Sequence, residues 1–259
     1  MTDNRKILLF DLDGTLLRSD KTISQHTLQV LEKCKEKGFL TGIATARSEK
    51  NSEEYIAEVK PDIIISCGGA LVKYKNEYVF KAEFSNNEVK SMIRSVRELC
   101  GDGCIITLDT VDTHYWNHIF DSEEIDSNWG ESIYTDYSDF SENALKLCFE
   151  IFEPKYVEQL SEKYSDCKIV KFSDGEWYMF TKKTASKENA VLMLNEKCGI
   201  SPNEIIAFGD DFSDIGMLKL CGKGIAMGNS IDEVKEIADL VIGSNDNEGI
   251  AEYLERSLL

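Results

Sequence analysis

No stretch of this sequence is apolar over the length needed to cross a membrane, and none of its eight cysteines belongs to a C-x-x-C pair. A membrane-spanning helix needs about 20 apolar residues in a row, so we expect no such span. The basic pair near the N-terminus is followed by only four apolar residues, too few for a signal peptide. Because no export signal is expected, the cysteines should be reduced, mostly buried thiols in a cytoplasmic protein rather than disulfides.

Positive charge is also scarce. The 29 Lys and Arg residues are outnumbered by 47 Asp and Glu residues, which gives a formal net charge of −18. Such a charge repels nucleic acid and anionic membranes, and it repels a phosphorylated ligand as well. Any phosphate site must therefore carry local positive charge or a metal. The sequence contains no P-loop and no complete dinucleotide-binding glycine pattern.

Four apolar residues, Ile7 to Phe10, lead directly into two carboxylates, Asp11 and Asp13, and then a Gly-Thr pair. Such a run is typical of a strand buried on both faces of a parallel sheet. If the chain stays extended, alternation aims both carboxylates the same way, into the ligand crevice at the strand's carboxyl end. Two carboxylates this close share a cation or a proton. We expect a metal site, or a nucleophile paired with an acid; an ordinary strand-to-turn junction is the alternative.

Polar residues also follow apolar segments later in the chain. Thr45 ends the second predicted strand, Asp210 and Asp214 follow another buried strand, and Lys187 stands at the start of a helix. If these strands are parallel in one sheet, the side chains converge on one edge. A helix cap, turn acids and a solvated helix residue are the respective alternatives.

The order and type of these residues resemble the four motifs of the haloacid dehalogenase superfamily. The matching residues in motif order are Asp11 to Leu16, Thr45, Lys187, and Gly209-Asp210 with Asp214. A large insert between the second and third motifs, and the tail Gly224 to Asn229, resemble the Cof-like phosphatases with an α/β cap of the C2B type.

This resemblance implies an α/β fold: a Rossmann-like parallel sheet core at residues 1–81 and 184–259, with an inserted α+β cap at 82–183. The insert has its own helix and strand periodicity, including a predicted hairpin turn at Asp174-Gly175. Its two neighbouring connections to the core make a natural hinge. We expect the cap to close over the crevice and to select the group that carries the phosphate.

The resemblance also implies roles. Asp11 would be the nucleophile that forms an aspartyl-phosphate, and Asp13 would protonate the leaving oxygen and later take a proton from water. Asp11, the backbone carbonyl of Asp13, and Asp210 would hold Mg²⁺. Lys187 would offset charge repulsion, with Asp214 orienting it or a metal-bound water. The implied phosphate- and substrate-binding residues are Leu12 and Ala46 through their amides, and Thr45, Arg47, Lys187 and Ser213 through their side chains.

Three positions depart from the usual pattern of that superfamily. Ser213 and Gly68 stand where relatives usually carry Asn, and Ala46 stands where they tend to carry Gly. These changes affect substrate contacts and none touches the nucleophile, the acid or the metal ligands. For Arg47 a surface position is the alternative to a substrate contact.

Two histidines of the insert, His114 and His118, are four residues apart. Trp116 between them indicates a strand, where this spacing does not build a helical metal site. We expect them to lie at the surface or to pack in the cap, with a metal site as the alternative. The stretch 109–142 has ten acidic residues and no Lys or Arg, and we expect it to be a solvated face. A docking site for a basic partner is the alternative.

The sequence therefore predicts a Mg²⁺-dependent phosphatase of a small phosphorylated metabolite, such as a sugar phosphate, nucleotide or cofactor phosphate. The alternatives are a phosphotransferase such as a sugar phosphomutase, and a non-catalytic regulator that binds a phosphorylated ligand on the same fold. We expect a monomer or weak homodimer that binds neither nucleic acid nor a membrane.

Overall fold

The computed structural model describes residues 7–118, 132–172 and 175–259, and the chain divides into two compact units. The core unit comprises Met1–Ala46, Glu53–Phe80 and Ser186–Leu259, and the inserted unit comprises Arg47–Ser52 and Lys81–Ala185. The inserted unit thus contains a short segment, 47–52, in addition to the insert predicted at 82–183. Part of the predicted hairpin turn at Asp174-Gly175 lies outside the described residues.

The core unit is built on one sheet, which has eight strands among the described residues, in the order β14-β13-β12-β1-β2-β3-β4-β5. All its strands from β14 to β3 pair in parallel, and β4 pairs antiparallel with β3. The strands are β1 (Ile7–Phe10), β2 (Leu40–Ala44), β3 (Ile63–Ser66), β4 (Leu71–Tyr74), β5 (Glu77–Lys81), β12 (Ile205–Gly209), β13 (Lys223–Ala226) and β14 (Leu240–Val241).

Helices cover the sheet of the core unit. They are α1 (Gln25–Glu36), α2 (Glu53–Val59), α5 (Lys187–Cys198), α6 (Ile215–Leu220), α7 (Asp232–Ile237) and α8 (Gly249–Ser257). Side chains alternate along β1, so Leu8 and Phe10 enter one apolar cluster while Ile7 and Leu9 enter another. Both faces of β1 are therefore buried, which explains why the strand reads as a continuous apolar run.

The inserted unit has a second sheet, with strand order β10-β11-β9-β6-β7-β8. Its strands are β6 (Ile106–Asp109), β7 (His114–Trp116), β8 (Ile133–Tyr134), β9 (Lys146–Glu150), β10 (Cys167–Lys171) and β11 (Trp177–Lys182), and its helices are α3 (Asn86–Cys100) and α4 (Pro154–Lys163). The amphipathic helix α3 begins with a capping box, in which Ser85 and Glu88 satisfy each other's backbone N–H groups. Its apolar side packs against alternate residues of the sheet, such as Leu108 and Phe149.

Several expectations from the sequence change in detail. The apolar pattern predicts a helix from about Glu49 to Val59, and the structure has a 3₁₀ turn followed by α2. The same kind of pattern predicts a strand at Thr113 to Ile119; the strand in the structure is His114–Trp116, and Ile119 lies outside the described residues. All eight cysteines are free thiols, six of them buried, as predicted. Within the described part of the chain, no helix has the length and apolar character needed to cross a membrane.

Candidate active site

Asp11 is fixed directly after β1. Its N–H donates to the carbonyl of Phe208 in the neighbouring strand at 3.0 Å. The chain then turns at Leu12, whose carbonyl accepts from the N–H of Thr15 at 3.2 Å, so the expected extended course past Asp11 is wrong. The two carboxylates consequently differ: Asp11 is buried, whereas the Asp13 side chain is 39% exposed and lies 2.8 Å from Lys21 Nζ.

Lys187 reaches the same place from the first turn of α5. Ser186 caps this helix by accepting from the N–H of Asn189 at 3.0 Å. The Lys187 Nζ donates to Asp11 Oδ1 at 2.5 Å and to Asp214 Oδ1 at 2.6 Å, and the side chain is only 2% exposed. The alternative of a solvated helix lysine is therefore wrong.

Glycines in the loop after β3 allow α5 to begin where it does. Gly69 has φ +102°, and a Cβ on it would lie 2.3 Å from the carbonyl carbon and oxygen of Ser186. Gly68 has φ 66°, and its N–H donates to the carbonyl of Thr45 at 3.0 Å. Asn tolerates that backbone region. The expected departure at Gly68 from Asn therefore concerns a side chain and does not require a different loop.

Asp214 is held by backbone as well as by lysine. Its Oδ2 accepts from the N–H groups of Asp210 at 3.0 Å and Asp211 at 3.2 Å, while Oδ1 accepts from Lys187. Gly209 gives it room, because a Cβ there would lie 2.5 Å from the Asp214 Cβ. Both carboxylate oxygens of Asp214 are thus engaged by protein donors, which suits a residue that orients Lys187.

Asp210 packs against the turn that follows Asp11. Thr15 Oγ1 donates to Asp210 Oδ1 at 2.6 Å. Gly14, at φ +79°, brings its backbone so close that a Cβ would lie 2.3 Å from Asp210 Oδ2. Sequence reasoning gave Thr15 no role. The available signal was a hydroxyl residue directly after the glycine of the first motif.

Oxygen atoms of Asp11, Asp210 and Asp214 lie within 4.8 Å of one another. Burial raises the pKa of Asp11 well above its usual range, although Lys187 opposes that shift. Burial also raises the pKa of Asp210 to about 6, and the hydrogen bond from Thr15 offsets part of the shift. Burial disfavours a charged Lys187 too, but Asp11 and Asp214 outweigh it and raise the lysine's pKa. One ammonium therefore faces three carboxylates.

This imbalance of charge fits a bound cation. The donors are all carboxylate oxygens, the ligands that hard cations such as Mg²⁺ prefer. Because Asp214 is engaged by protein donors, Asp11 and Asp210 are the two carboxylates that suit a metal. The carboxylate of Asp13 lies outside the cluster, and the predicted use of its backbone carbonyl stays a prediction.

The other predicted site residues differ in their burial and in the unit to which they belong. Thr45 is buried after β2, and its N–H donates to the carbonyl of Ile65 at 2.8 Å. Arg47 is buried in the inserted unit, so a surface position for it is wrong. Ser213 is exposed. The side chain of Leu12 is in the core, and like Ala46 it has only its amide to offer a phosphate.

The sequence model of the haloacid dehalogenase-like hydrolase family matches residues 8–254 of this chain. The chain belongs to that family. The resemblance noted from the motifs and the prediction of a hydrolase with a Rossmann-like core are confirmed. The match runs through both units, including the inserted one.

Individual relatives cover nearly the whole chain. A Bacillus subtilis protein named 5-amino-6-(5-phospho-D-ribitylamino)uracil phosphatase is 26% identical over 96% of each chain. The Escherichia coli pyridoxal phosphate phosphatase is 26% identical, covering 98% of this chain and 99% of its own. A crystal structure of a haloacid dehalogenase-like hydrolase from Bacteroides thetaiotaomicron superposes with a TM-score of 0.85 at 23% identity, over 97% of this chain and 99% of that one. The last comparison shows the fold alone.

Proposed function

We propose that this protein hydrolyses the phosphate ester of a small metabolite through an aspartyl-phosphate on Asp11, with Mg²⁺ as cofactor. The observation that carries the proposal is the buried contact of Lys187 with Asp11 and Asp214, beside Asp210. Burying an ammonium between two carboxylates costs desolvation free energy. This ammonium lies at the carboxyl end of parallel strands, where α/β folds bind ligands. The names of the two curated relatives as phosphatases agree with it.

The chemistry divides into two displacements at phosphorus. In the first, an Asp11 oxygen bonds to phosphorus, the bond to the ester oxygen breaks, and Asp13 gives that oxygen its proton. In the second, Asp13 takes a proton from water as the water oxygen bonds to phosphorus, and the bond to Asp11 breaks. Half-exposed Asp13 can exchange protons with solvent, whereas buried Asp11 cannot do so readily.

Positive charge at the site lets a carboxylate approach a phosphoryl group. Lys187 supplies one fixed charge from a side chain that packing and two ion pairs hold in place. Bound Mg²⁺, held by Asp11 and Asp210, would supply the Lewis acid that neutralises phosphoryl oxygens. Thr45 and the amides of Leu12 and Ala46 would donate hydrogen bonds to the remaining oxygens. We assign the choice of substrate to the inserted unit.

The test uses p-nitrophenyl phosphate with Mg²⁺ or with EDTA. The wild-type protein should release phosphate only with metal. Asp11→Asn should lower kcat by at least about a thousand-fold, because an amide cannot form the acyl-phosphate. Asp20→Asn is the matched control: this exposed carboxylate of the following loop accepts from its neighbour Thr22, so the activity of the variant should be unchanged.

Acid-quenched wild-type protein should carry a phosphoryl group on the peptide containing Asp11, labile to hydroxylamine and detected by mass spectrometry. Full hydrolysis in EDTA, or a phosphorylated residue other than Asp11, would contradict the mechanism. A phosphomutase would instead pass the label to a second sugar hydroxyl and release little inorganic phosphate. A non-catalytic regulator would bind phosphate esters without consuming them.

A further inference from the structure

Among the described residues, one face of the inserted unit's sheet carries no helix, and this face is not the solvated surface that its position predicts. Leu108 and Phe149 point toward the helices, so Thr107, Asp109 and Cys148, one residue away along the same strands, point from the opposite face. An antiparallel sheet face that carries no helix is usually polar and solvated. Here all three residues are less than a tenth exposed. The expectation that 109–142 forms a solvated face is therefore wrong at Asp109.

Asp109 holds two partners from neighbouring strands. Its Oδ1 lies 2.8 Å from His114 Nδ1 and its Oδ2 lies 2.9 Å from Lys146 Nζ. Burial alone would raise the pKa of Asp109, but Lys146 and His114 outweigh burial and hold that pKa well below its usual range. The carboxylate therefore stays ionised and fixes both partners. His114 packs inside the inserted unit, as predicted.

A cavity of about 250 Å³ opens on this face. Its wall includes His114 and Lys146, the rings of Trp116 and Trp177, and Thr107. The two tryptophan rings meet edge to face at 6.2 Å, and His114 meets Trp116 edge to face at 5.9 Å. Cys148 and Phe172 also line the cavity, as does Asn51 from the segment 47–52.

The size and the chemistry of this wall limit what it can bind. An apolar cavity of about 150 Å³ holds benzene, so this one has room for a single six-membered ring with substituents. Tryptophan faces and edges suit a flat ring. Asp109 already accepts from His114 and is paired with Lys146, so the strongest nearby acceptor is engaged. Lys146 gives the wall N–H donors and a positive charge, whereas its acceptors are few: the Thr107 hydroxyl and the side-chain oxygen of Asn51, which has no hydrogen-bond partner among the described residues.

A polyol buries many hydroxyl donors and needs an acceptor for each of them, whereas a heteroaromatic ring with carbonyl, phenolate or ring-nitrogen groups needs donors. We infer that the cavity binds a planar heteroaromatic ring carrying hydrogen-bond acceptors, and that this ring belongs to the leaving group of the ester. The second half of the inference rests on the function proposed above. The first half concerns the cavity alone.

Binding is tested without turnover by titrating pyridoxine, a pyridine alcohol with no phosphate, or ribitol, an acyclic polyol, into the full-length protein by calorimetry. Pyridoxine should bind with saturation and ribitol should not. Trp177→Ala should weaken pyridoxine binding about ten-fold, because ring stacking is lost, and Trp177→Phe should recover most of it. Phe152→Ala, which removes an aromatic ring that is 69% exposed, is the matched control and should bind as the wild type does.

A second variant tests the cavity independently, in case Trp177→Ala does not fold. Cys148→Phe enlarges a side chain of the cavity wall on the face away from the helices, and it should block pyridoxine while leaving the helix-packed core intact by circular dichroism. Binding of pyridoxine that neither Trp177→Ala nor Cys148→Phe weakens would overturn the cavity assignment. Equal binding of pyridoxine and ribitol would overturn the ring preference.

Measurements of turnover test whether the ring bound in the cavity belongs to the leaving group of the ester. The wild-type protein should have at least a ten-fold higher kcat/KM for pyridoxine phosphate than for ribitol phosphate, and Trp177→Ala should reduce that ratio toward one. If ribitol phosphate is hydrolysed as well as pyridoxine phosphate, the inference fails while the proposed phosphatase function stands. If pyridoxine binds in the cavity but no phosphate ester is hydrolysed, the cavity assignment stands and the proposed function fails.

Discussion

Replacing Lys187 with methionine should destabilise the protein strongly when no metal is present. The substitution keeps the length of the apolar stem but removes the ammonium that lies 2.5 Å from Asp11 and 2.6 Å from Asp214. Breaking a buried ion pair by removing one partner costs about 3–5 kcal/mol, because charge is left buried without compensation. In a domain of 150–250 residues, each kcal/mol lowers Tm by about 2–4 °C. We therefore expect Tm to fall by about 6–20 °C in EDTA.

The control for this variant is Lys197→Met in the last turn of the same helix. Lys197 is half exposed and pairs with the exposed Glu196, so its loss should change the free energy of unfolding by about 0.5 kcal/mol or less. Scanning calorimetry of both variants, in EDTA and in Mg²⁺, supplies the measurement. Mg²⁺ should recover part of the Lys187→Met deficit, because a cation can replace the lost charge and stabilises by binding the folded state.

The loss of stability caused by Lys187→Met should also depend on pH. Burial raises the folded-state pKa of Asp11, and without Lys187 that pKa rises further. A carboxyl with a raised folded pKa contributes its full stability only below its unfolded pKa of about 3.9, and loses it as pH rises through the folded value. The deficit of Lys187→Met should therefore be larger at pH 8 than at pH 5. Equal Tm values for wild type and variant in EDTA at pH 8 would refute the buried ion cluster.

Three further substitutions have definite expected outcomes. Gly69→Ala drives a Cβ into the Ser186 carbonyl and should lower kcat about a hundred-fold through displacement of α5; an unchanged kcat would contradict this. Thr15→Val removes the donor 2.6 Å from Asp210, so the Asp210 pKa should rise above about 6 and Mg²⁺ affinity by calorimetry should fall more at pH 6 than at pH 8. Asp109→Asn should cost the inserted unit about 3–5 kcal/mol in urea unfolding. The wild-type carboxylate's contribution should persist above about pH 4 and disappear as pH falls below it, whereas the variant should lack this dependence.

Much of the core could be predicted because its signals are local. Consecutive apolar residues define β1, and Asp11 follows directly in the chain. The strand and the carboxylate at its end can therefore be predicted from the same short stretch. The Ser186 cap that begins α5 is likewise a short-range pattern. The resemblance to the superfamily rests on residues of this kind, each placed beside a strand or helix end.

Other features depend on segments that are distant in sequence. Lys187 and Lys197 look alike in the sequence, and only the contact of Lys187 with Asp11, 176 residues away, distinguishes the buried lysine from the solvated one. The need for glycine at position 69 arises from the backbone of Ser186. The error at Leu12 has a different, local origin: alternation assumes an extended chain, whereas the N–H groups of Thr15 and Leu17 donate to the Leu12 carbonyl and form a turn.

The sequence by itself thus determined the family, the strand-to-turn junctions and the residue types at the ends of the core strands, because hydrophobic periodicity and capping act over a few residues. Tertiary structure alone decided which charges are buried together. Asp109 lies in an acidic stretch, which predicts a solvated side chain. The pairing of β6 with β7 and β9 instead places it between His114 and Lys146. Burial and Coulomb energy depend on distances in space, and those are set when remote strands pair.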